Sequence, residues 1–176
     1  MKSSIMNLEI DVSKCTACRA CELSCSFIKE GTFSPSLSRI RIMQAHAAGL
    51  NIPIVCVNCA DAPCIPACPT GAIFHDPAVP TVRIKEEDCI GCGGCVSACP
   101  FGAVEMPPEK EVAIMCDLCD GNPECASNCI YGALIFDPGR AAGESKRWNT
   151  ARTIAERVRR NRRATYETND STTPNT

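Results

Sequence analysis

The sequence predicts an α+β fold with two interleaved βαβ pseudo-repeats organised around four groups of cysteines, followed by a C-terminal helical tail. The 176-residue chain has 16 cysteines and only 5% aromatic residues, so an aromatic-rich core cannot stabilise it and another source of stability, such as bound metal, is needed. The cysteines form an internal repeat with none left over. The groups are Cys15, Cys18, Cys21 and Cys25; Cys56, Cys59, Cys64 and Cys68; Cys89, Cys92, Cys95 and Cys99; and Cys116, Cys119, Cys125 and Cys129.

A glycine–alanine signature follows three of the four groups and defines the repeating unit. Glycine can adopt a positive φ and end the short helical turn after the fourth cysteine, and the apolar residue after the alanine begins a strand. Each unit is therefore predicted to be a loop, a helical turn and a strand. The signatures are Pro69-Thr70-Gly71-Ala72-Ile73, Pro100-Phe101-Gly102-Ala103-Val104 and Ile130-Tyr131-Gly132-Ala133-Leu134.

Alternating apolar and polar residues predict short strands between the cysteine groups. A loop is expected over residues 30–36, and turns are expected over 76–80 and at Pro107-Pro108. Because every strand is short, we expect small pairings beside the cysteine groups rather than one large sheet. The predicted strands are 8–12, 38–42, 52–57, 81–84, 112–115 and 134–136.

The third group carries the most specific motif in the chain. The run Cys89-Ile90-Gly91-Cys92-Gly93-Gly94-Cys95-Val96-Ser97-Ala98-Cys99-Pro100 reads C-x2-C-x2-C-x3-C-P, the bacterial ferredoxin pattern that holds 4Fe–4S clusters. Three closely spaced thiolates can wrap three corners of one iron–sulfur cube, and in two-cluster ferredoxins the fourth cysteine ligates the other cluster. The N-terminus shows no export signal, so a cytoplasmic location is expected, where grouped cysteines bind metal rather than form disulfides.

Zinc is the main alternative metal, because C-x2-C pairs also build zinc sites. Zinc sites close with two pairs of ligands and often use histidine, whereas here a third and a fourth cysteine follow in every group. The sequence therefore favours iron–sulfur clusters, and His46 and His75 are expected to be surface residues. A phosphate-binding loop at Gly91, Gly93 and Gly94 is disfavoured because no lysine or strand–helix context accompanies it. These glycines are expected to make room for backbone around a cluster.

Residues 140–176 differ in kind from the cysteine-rich domain at 1–139. The tail has nine Lys or Arg against four Asp or Glu, whereas the preceding region has nine against sixteen. A helix is expected over 148–164, with Ile154 and Val158 on one face and arginines near its C-terminal end. We interpret the tail as a docking segment for a partner or for another copy of this chain, ahead of a solvated tail or a nucleic-acid binder.

Longer gaps in groups two and four carry a family resemblance. Through these gaps, residues 8–137 resemble the four-cluster subunits of molybdenum and tungsten oxidoreductases. The segments that show the resemblance are Cys56-Val57-Asn58-Cys59-Ala60-Asp61-Ala62-Pro63-Cys64 and Cys116-Asp117-Leu118-Cys119-Asp120-Gly121. The opening Cys15-Thr16-Ala17-Cys18-Arg19-Ala20-Cys21-Glu22-Leu23-Ser24-Cys25, followed by Pro35-Ser36-Leu37-Ser38-Arg39-Ile40, is most similar to the small iron–sulfur subunit of bacterial tungsten aldehyde oxidoreductase. The same opening resembles the ferredoxin-like partner in benzoyl-CoA reductase complexes. Ile130 departs from the pattern, since a proline often follows the last cysteine.

The resemblance implies four 4Fe–4S clusters with crossed ligands, in which the fourth cysteine of each group serves a different cluster. Groups one and four would form one bacterial-ferredoxin-like half, and groups two and three the other. We name the implied ligand sets quartets A to D. Quartet A is Cys15, Cys18, Cys21 and Cys129; quartet B is Cys25, Cys116, Cys119 and Cys125; quartet C is Cys56, Cys59, Cys64 and Cys99; and quartet D is Cys68, Cys89, Cys92 and Cys95.

The resemblance further implies an electron-transfer subunit that is not itself catalytic, and no residues suggest a substrate pocket. The expected partners are a large pterin–tungsten or pterin–molybdenum subunit, oxidising an aldehyde, and a flavin subunit or ferredoxin that accepts the electrons. The alternatives are a subunit of a formate hydrogenlyase, dimethyl sulfoxide reductase or benzoyl-CoA reductase type of complex, or a free polyferredoxin or maturation factor. A structural role also stays open, in which the tail links copies into a filamentous assembly. Neither nucleic acid nor a membrane span is expected, since no run approaches ~20 apolar residues.

Overall fold

The computed structural model describes residues 8–137, so the predicted tail helix and the boundary near residue 139 lie outside the described residues. The strands pair as three separate antiparallel sheets, β1 with β6, β2 with β3 and β4 with β5, which confirms small pairings rather than one large sheet. Within this range no helix is long and apolar enough to span a membrane. The elements are β1 (Leu8–Ile10), α1 (Ala20–Glu30), β2 (Ile40–Ala45), β3 (Leu50–Val55), β4 (Ile73–His75), β5 (Val82–Ile84), α2 (Gly94–Ala98), α3 (Glu124–Ser127) and β6 (Leu134–Phe136).

The first hydrophobic core lies where the two ends of the described chain meet. Ile10 of β1 pairs with Leu134 of β6, and this pairing joins cysteine groups one and four. The hairpin of β2 and β3 covers the same core, with Ile40 and Val55 paired and buried. Leu118, which has no exposed surface, fills the centre. Thiols from groups one and four pack into this core among the aliphatic side chains.

The second core lies beneath the pairing of β4 and β5. Ile73 pairs with Ile84, and Ile73 and Val82 are buried together with Val104 and Met115. Thiols from groups two and three pack against these residues. The described region is therefore a small ferredoxin-like domain of mixed helix and strand with two cores, and its organisation as interleaved pseudo-repeats stays a prediction.

Ion pairs connect the two cores. Arg41 of β2 donates from Nη2 to Glu105 at 2.6 Å, and its Nε lies 2.9 Å from both oxygens of the same carboxylate. The Lys110 ammonium contacts Glu30, at the end of α1, at 3.0 Å and Glu86 at 2.9 Å. Such partly exposed pairs are worth at most ~1 kcal/mol each, so they fix the relative position of the cores more than they stabilise the fold.

Helix α1 is longer than the helical turn that the sequence predicts after group one. No glycine or proline interrupts Ala20–Glu30, so the helix continues for 11 residues. It ends at Gly31, where φ is 69° and the backbone N–H donates to the Phe27 carbonyl. Cys21 and Cys25 lie four residues apart and are both buried, on the same face of the helix.

The strand predicted over 112–115 is reduced to a single bridge. Glu105 and Ile114 exchange two backbone hydrogen bonds of 3.1 and 2.8 Å, and the pairing extends no further. Pro107 and Pro108 have no N–H to donate, so the ladder cannot continue from Glu105 toward the turn. On the other side Cys116 is among the residues that line a cavity.

Candidate metal centres

Quartet A lines a cavity beside α1. Cys15 and Cys18 come from the loop before α1, Cys21 from its first turn, and Cys129 from the segment after α3. Arg19 has a φ of 59°, a left-handed conformation that curls the loop around the cavity immediately before the helix begins. Cysteines separated by more than a hundred residues are thus brought to one site.

Quartet B lines a second cavity at the first core. Cys25 reaches it from α1, and the other three thiols come from group four. Lys29, Arg39 and Asp117 also line this cavity. The Lys29 ammonium lies 2.6 Å from the Asp117 carboxylate. The backbone N–H of Arg39 donates to the Cys25 sulfur at 3.3 Å.

Quartet D lines a third cavity at the second core. The rest of the lining that the structure describes is uncharged and includes Ile73, Ile84 and Met106. Backbone packs closely here, since a Cβ on Gly94 would lie 2.8 Å from the Ala67 carbonyl oxygen. Glycine at this position therefore makes room for backbone, as the sequence interpretation expects.

The thiols of quartet C lie close enough together to repel one another electrostatically. Burial raises the pKa of Cys56 to about 11, and repulsion from Cys64, Cys59 and Cys99 adds to the rise. Asn58, between the first two cysteines of group two, is buried with a φ of 47°. Its side-chain oxygen accepts a backbone N–H of β5 at 3.0 Å, so it anchors the loop that carries these thiols.

Neighbouring quartets lie next to one another in the order A, B, C, D. Burial raises the pKa of Cys125 in quartet B to about 12, with a contribution from Cys21 of quartet A. Burial raises the pKa of Cys116, also in quartet B, well above its ordinary value, and Cys56 of quartet C adds to this. Burial and then repulsion, including that from a quartet D thiol, raise the pKa of Cys64 in quartet C. Each quartet therefore lies close enough to the next for their thiols to repel one another, and we call this succession A, B, C, D the row of quartets.

The raised pKa values of the buried thiols favour a positively charged group at these sites. Burial raises the pKa of Cys21 to about 12, as it does for Cys125, so these thiols stay protonated at neutral pH without a positive partner. A thiol binds iron only as the thiolate, so ligand binding must release protons and supply positive charge.

The glycine–alanine signature has a role that the sequence interpretation missed. The backbone N–H of Ala103 donates to the Cys99 sulfur at 3.4 Å, and that of Ala133 donates to the Cys129 sulfur at 3.3 Å. The preceding glycine makes the geometry possible, since Gly102 has a φ of 60°. Hydrogen bonds to ligand sulfurs tune the potentials of iron–sulfur clusters. The constant spacing of cysteine and alanine was the signal that could have indicated it.

Two further outcomes concern charged and titratable residues. His46 and His75 are exposed, which confirms the expectation that they are surface residues. The ion pair between Lys29 and Asp117 beside quartet B was not predicted. Its partners are 88 residues apart in sequence, and only the fold brings them together.

Comparison with known proteins finds relatives over most of the chain. Residues 55–103 match the family described as a 4Fe-4S dicluster domain. The polyferredoxin-like subunit of the aliphatic sulfonate oxidoreductase of Pyrococcus furiosus is 45% identical over 120 residues, which are 68% of this chain and 69% of that protein. The electron transport protein HydN of Escherichia coli K12 is 34% identical over 148 residues, which are 71% of this chain and 83% of that protein. The thiosulfate reductase electron transfer subunit PhsB of Salmonella typhi is 34% identical over 153 residues, which are 78% of each chain.

Proposed function

Because the chain belongs to the family of iron–sulfur electron-transfer subunits of oxidoreductase complexes, we propose that quartets A to D each hold one 4Fe–4S cluster and that the chain passes electrons between a catalytic partner and an acceptor. The observation that carries this proposal is the convergence of cysteines from distant groups on shared cavities. When bound, the clusters supply one-electron redox chemistry. The chain's own residues hold the clusters, order them and control their access to solvent.

The set of lining cysteines supports a cluster rather than a single ion. Zinc sites close with two pairs of ligands and often use histidine. Each of three cavities is instead lined by four cysteines, three from one group and one from another. That combination is the one that holds 4Fe–4S clusters in two-cluster ferredoxins.

The row of quartets supports a path with two surface ends. Of the 16 cysteines, only Cys18 of quartet A and Cys92 of quartet D are exposed. Every cysteine of the inner quartets B and C is buried or half-buried. Electrons would therefore be exchanged with partners at quartets A and D and would travel through B and C inside the domain.

We further propose that the catalytic partner is a large pterin–tungsten or pterin–molybdenum subunit. The resemblance of residues 15–40 to the small subunit of tungsten aldehyde oxidoreductase supports an aldehyde as its substrate. The relative from Pyrococcus furiosus is named as a subunit of an aliphatic sulfonate oxidoreductase, which supports an aliphatic sulfonate as an alternative. The acceptor would be a flavin subunit or a ferredoxin.

The basic tail is proposed to bind a partner or another copy of the chain, since it carries nine Lys or Arg against four Asp or Glu. Removing residues 140–176 should reduce the particle size of the native complex in light scattering. An unchanged size would exclude a role of the tail in linking copies.

Anaerobic iron and sulfide determination on protein purified from its native cells tests the proposed function. Four cubes require about sixteen irons per chain and a broad absorption band near ~400 nm. Proteins that co-purify would identify the catalytic partner and separate the aldehyde alternative from the sulfonate alternative. A colourless protein that contains zinc would overturn the proposal.

A further inference from the structure

The surface around quartet A has an unusual combination of side chains. Four of the residues that line its cavity form a group that we call the basic port: Lys14, Cys18, Arg19 and Tyr131. The Lys14 and Arg19 side chains are 52% and 51% exposed. Tyr131 is 49% exposed and its neighbour Ile130 is 83% exposed. An accessible thiol is thus surrounded by two cations and an apolar patch.

The carboxylates that pair with these cations lie below the surface. Lys14 is 3.6 Å from Asp11, whose side chain is 11% exposed, and Arg19 is 3.7 Å from Glu22, whose side chain is 3% exposed. Both distances are longer than a hydrogen bond. The positive groups therefore face solvent while their negative partners stay buried, and an approaching protein meets positive charge first.

The opposite end of the row carries exposed acidic residues, among which Glu86 is paired with Lys110 and Asp88 lies near the exposed Lys85. Cys92 of quartet D is exposed, and the described lining of its cavity has no charged side chain. The turn of Glu86, Glu87 and Asp88 leads directly into Cys89, and all three acidic residues are exposed. The two surface ends of the row therefore present different charges, which allows them to select different partners.

We propose that the basic port docks a small acidic one-electron carrier protein, an inference that rests on the proposed function and specifies its acceptor. Complementary charge steers such carriers to their partners, and transient redox complexes bury little area. Tyr131 and Ile130 supply the apolar centre of the contact, and Lys14 and Arg19 its charged rim. One electron passes from the reduced chain to the oxidised carrier, and no bond or proton changes place.

Lys14 has a matched control at the other end of the row. Lys85 is 54% exposed and lies 4.0 Å from Asp88, three residues away, as Lys14 lies 3.6 Å from Asp11. The variants are therefore Lys14→Gln, Arg19→Gln, their combination, and Lys85→Gln in the full chain. Iron content is checked for each variant, and Arg19→Lys keeps the charge while it changes the side chain.

The probe is an oxidised acidic plant-type ferredoxin, with the cationic dye benzyl viologen as the comparison acceptor. The dithionite-reduced chain, freed of excess reductant, is mixed with each acceptor in a stopped-flow spectrometer. Titration calorimetry of the two oxidised proteins measures binding separately. The double variant should reduce ferredoxin about tenfold more slowly at low salt and bind it more weakly, while Lys85→Gln and Arg19→Lys match the wild type. The difference should disappear between about 0.01 M and about 1 M salt.

The outcomes separate the port from the proposed function. If Lys14→Gln and Arg19→Gln bind and reduce ferredoxin as the wild type does, the basic port is not the docking site. Equal losses in Lys14→Gln and Lys85→Gln would also overturn it, since the effect would then reflect total charge. A wild-type chain that passes electrons to neither acceptor would instead contradict the proposed function, and calorimetry would still decide whether the port binds the carrier.

Discussion

Cys99 provides a sharp test of the crossed ligand sets. It follows α2 and lies four positions after Cys95, a distance of ~6 Å along a helix axis. Its charge contributes to the raised pKa values of Cys56 and Cys64, which burial raises first. Cys95 lines the quartet D cavity together with Cys68, whereas Cys99 is not among the lining residues. Cys99→Ala should therefore remove the cluster of quartet C and leave that of quartet D.

The expected loss is about four irons of about sixteen per chain, because each cube holds four. Iron content cannot say which cluster is lost, so electron paramagnetic resonance spectra of the reduced variants are compared. Cys99→Ala should give the spectrum of Cys64→Ala, a variant within quartet C. Cys68→Ala should give that of Cys95→Ala, a variant within quartet D.

The opposite pairing of spectra would refute the reasoning. If Cys99→Ala matched Cys95→Ala and Cys68→Ala matched Cys64→Ala, each group would hold its own cluster. A Cys99→Ala protein that kept all its iron and every cluster signal would show that Cys99 is not a ligand.

Three further predictions concern residues around the quartets. Lys29→Met should lower the reduction potential of the quartet B cluster, as a potentiometric titration measures, and destabilise the site by about 2 kcal/mol, because Asp117 loses its cation at 2.6 Å. Adding Asp117→Asn should restore both the potential and the stability. Gly102→Ala should speed iron release to a chelator through about 1 kcal/mol of strain, since φ is 60° and nothing within 4 Å blocks a Cβ. Burial alone would raise the pKa of Glu30, but hydrogen bonds from Lys110 and a neighbouring arginine outweigh it and lower the pKa. The stabilisation that ionised Glu30 provides is therefore present above the ordinary carboxyl pKa of ~4.3 and is lost as the pH falls through the lower pKa of the folded state. The iron-release rates of Glu30→Gln and of the wild type should therefore converge in acid.

Local patterns predicted the parts of the fold that local patterns control. The alternation around Leu8–Ile10 and the signature before Leu134–Phe136 gave strands that the structure contains and pairs with each other. The grouping of the cysteines indicated that they would act together, but which cysteine leaves its group came from family resemblance. Spacing along the chain contains no information about which cavity a thiol reaches after a helix.

Interactions between distant residues could not be predicted in this way. Lys29 and Asp117 meet only because α1 packs against the group four loop. The predicted strand before Cys116 fails because two prolines and a cavity compete with its pairing at Ile114. The contrast between the basic port and the acidic end depends on which carboxylates the fold buries, since Asp11 and Glu22 are buried while Glu86 and Asp88 are exposed.

A coulometric reductive titration of the anaerobically purified full chain tests the central claim most directly. Four clusters that each accept one electron predict four electrons per chain, in a protein that contains about sixteen irons. Full iron content with only two electrons accepted, or a protein that accepts none, would contradict the account of a four-cluster path.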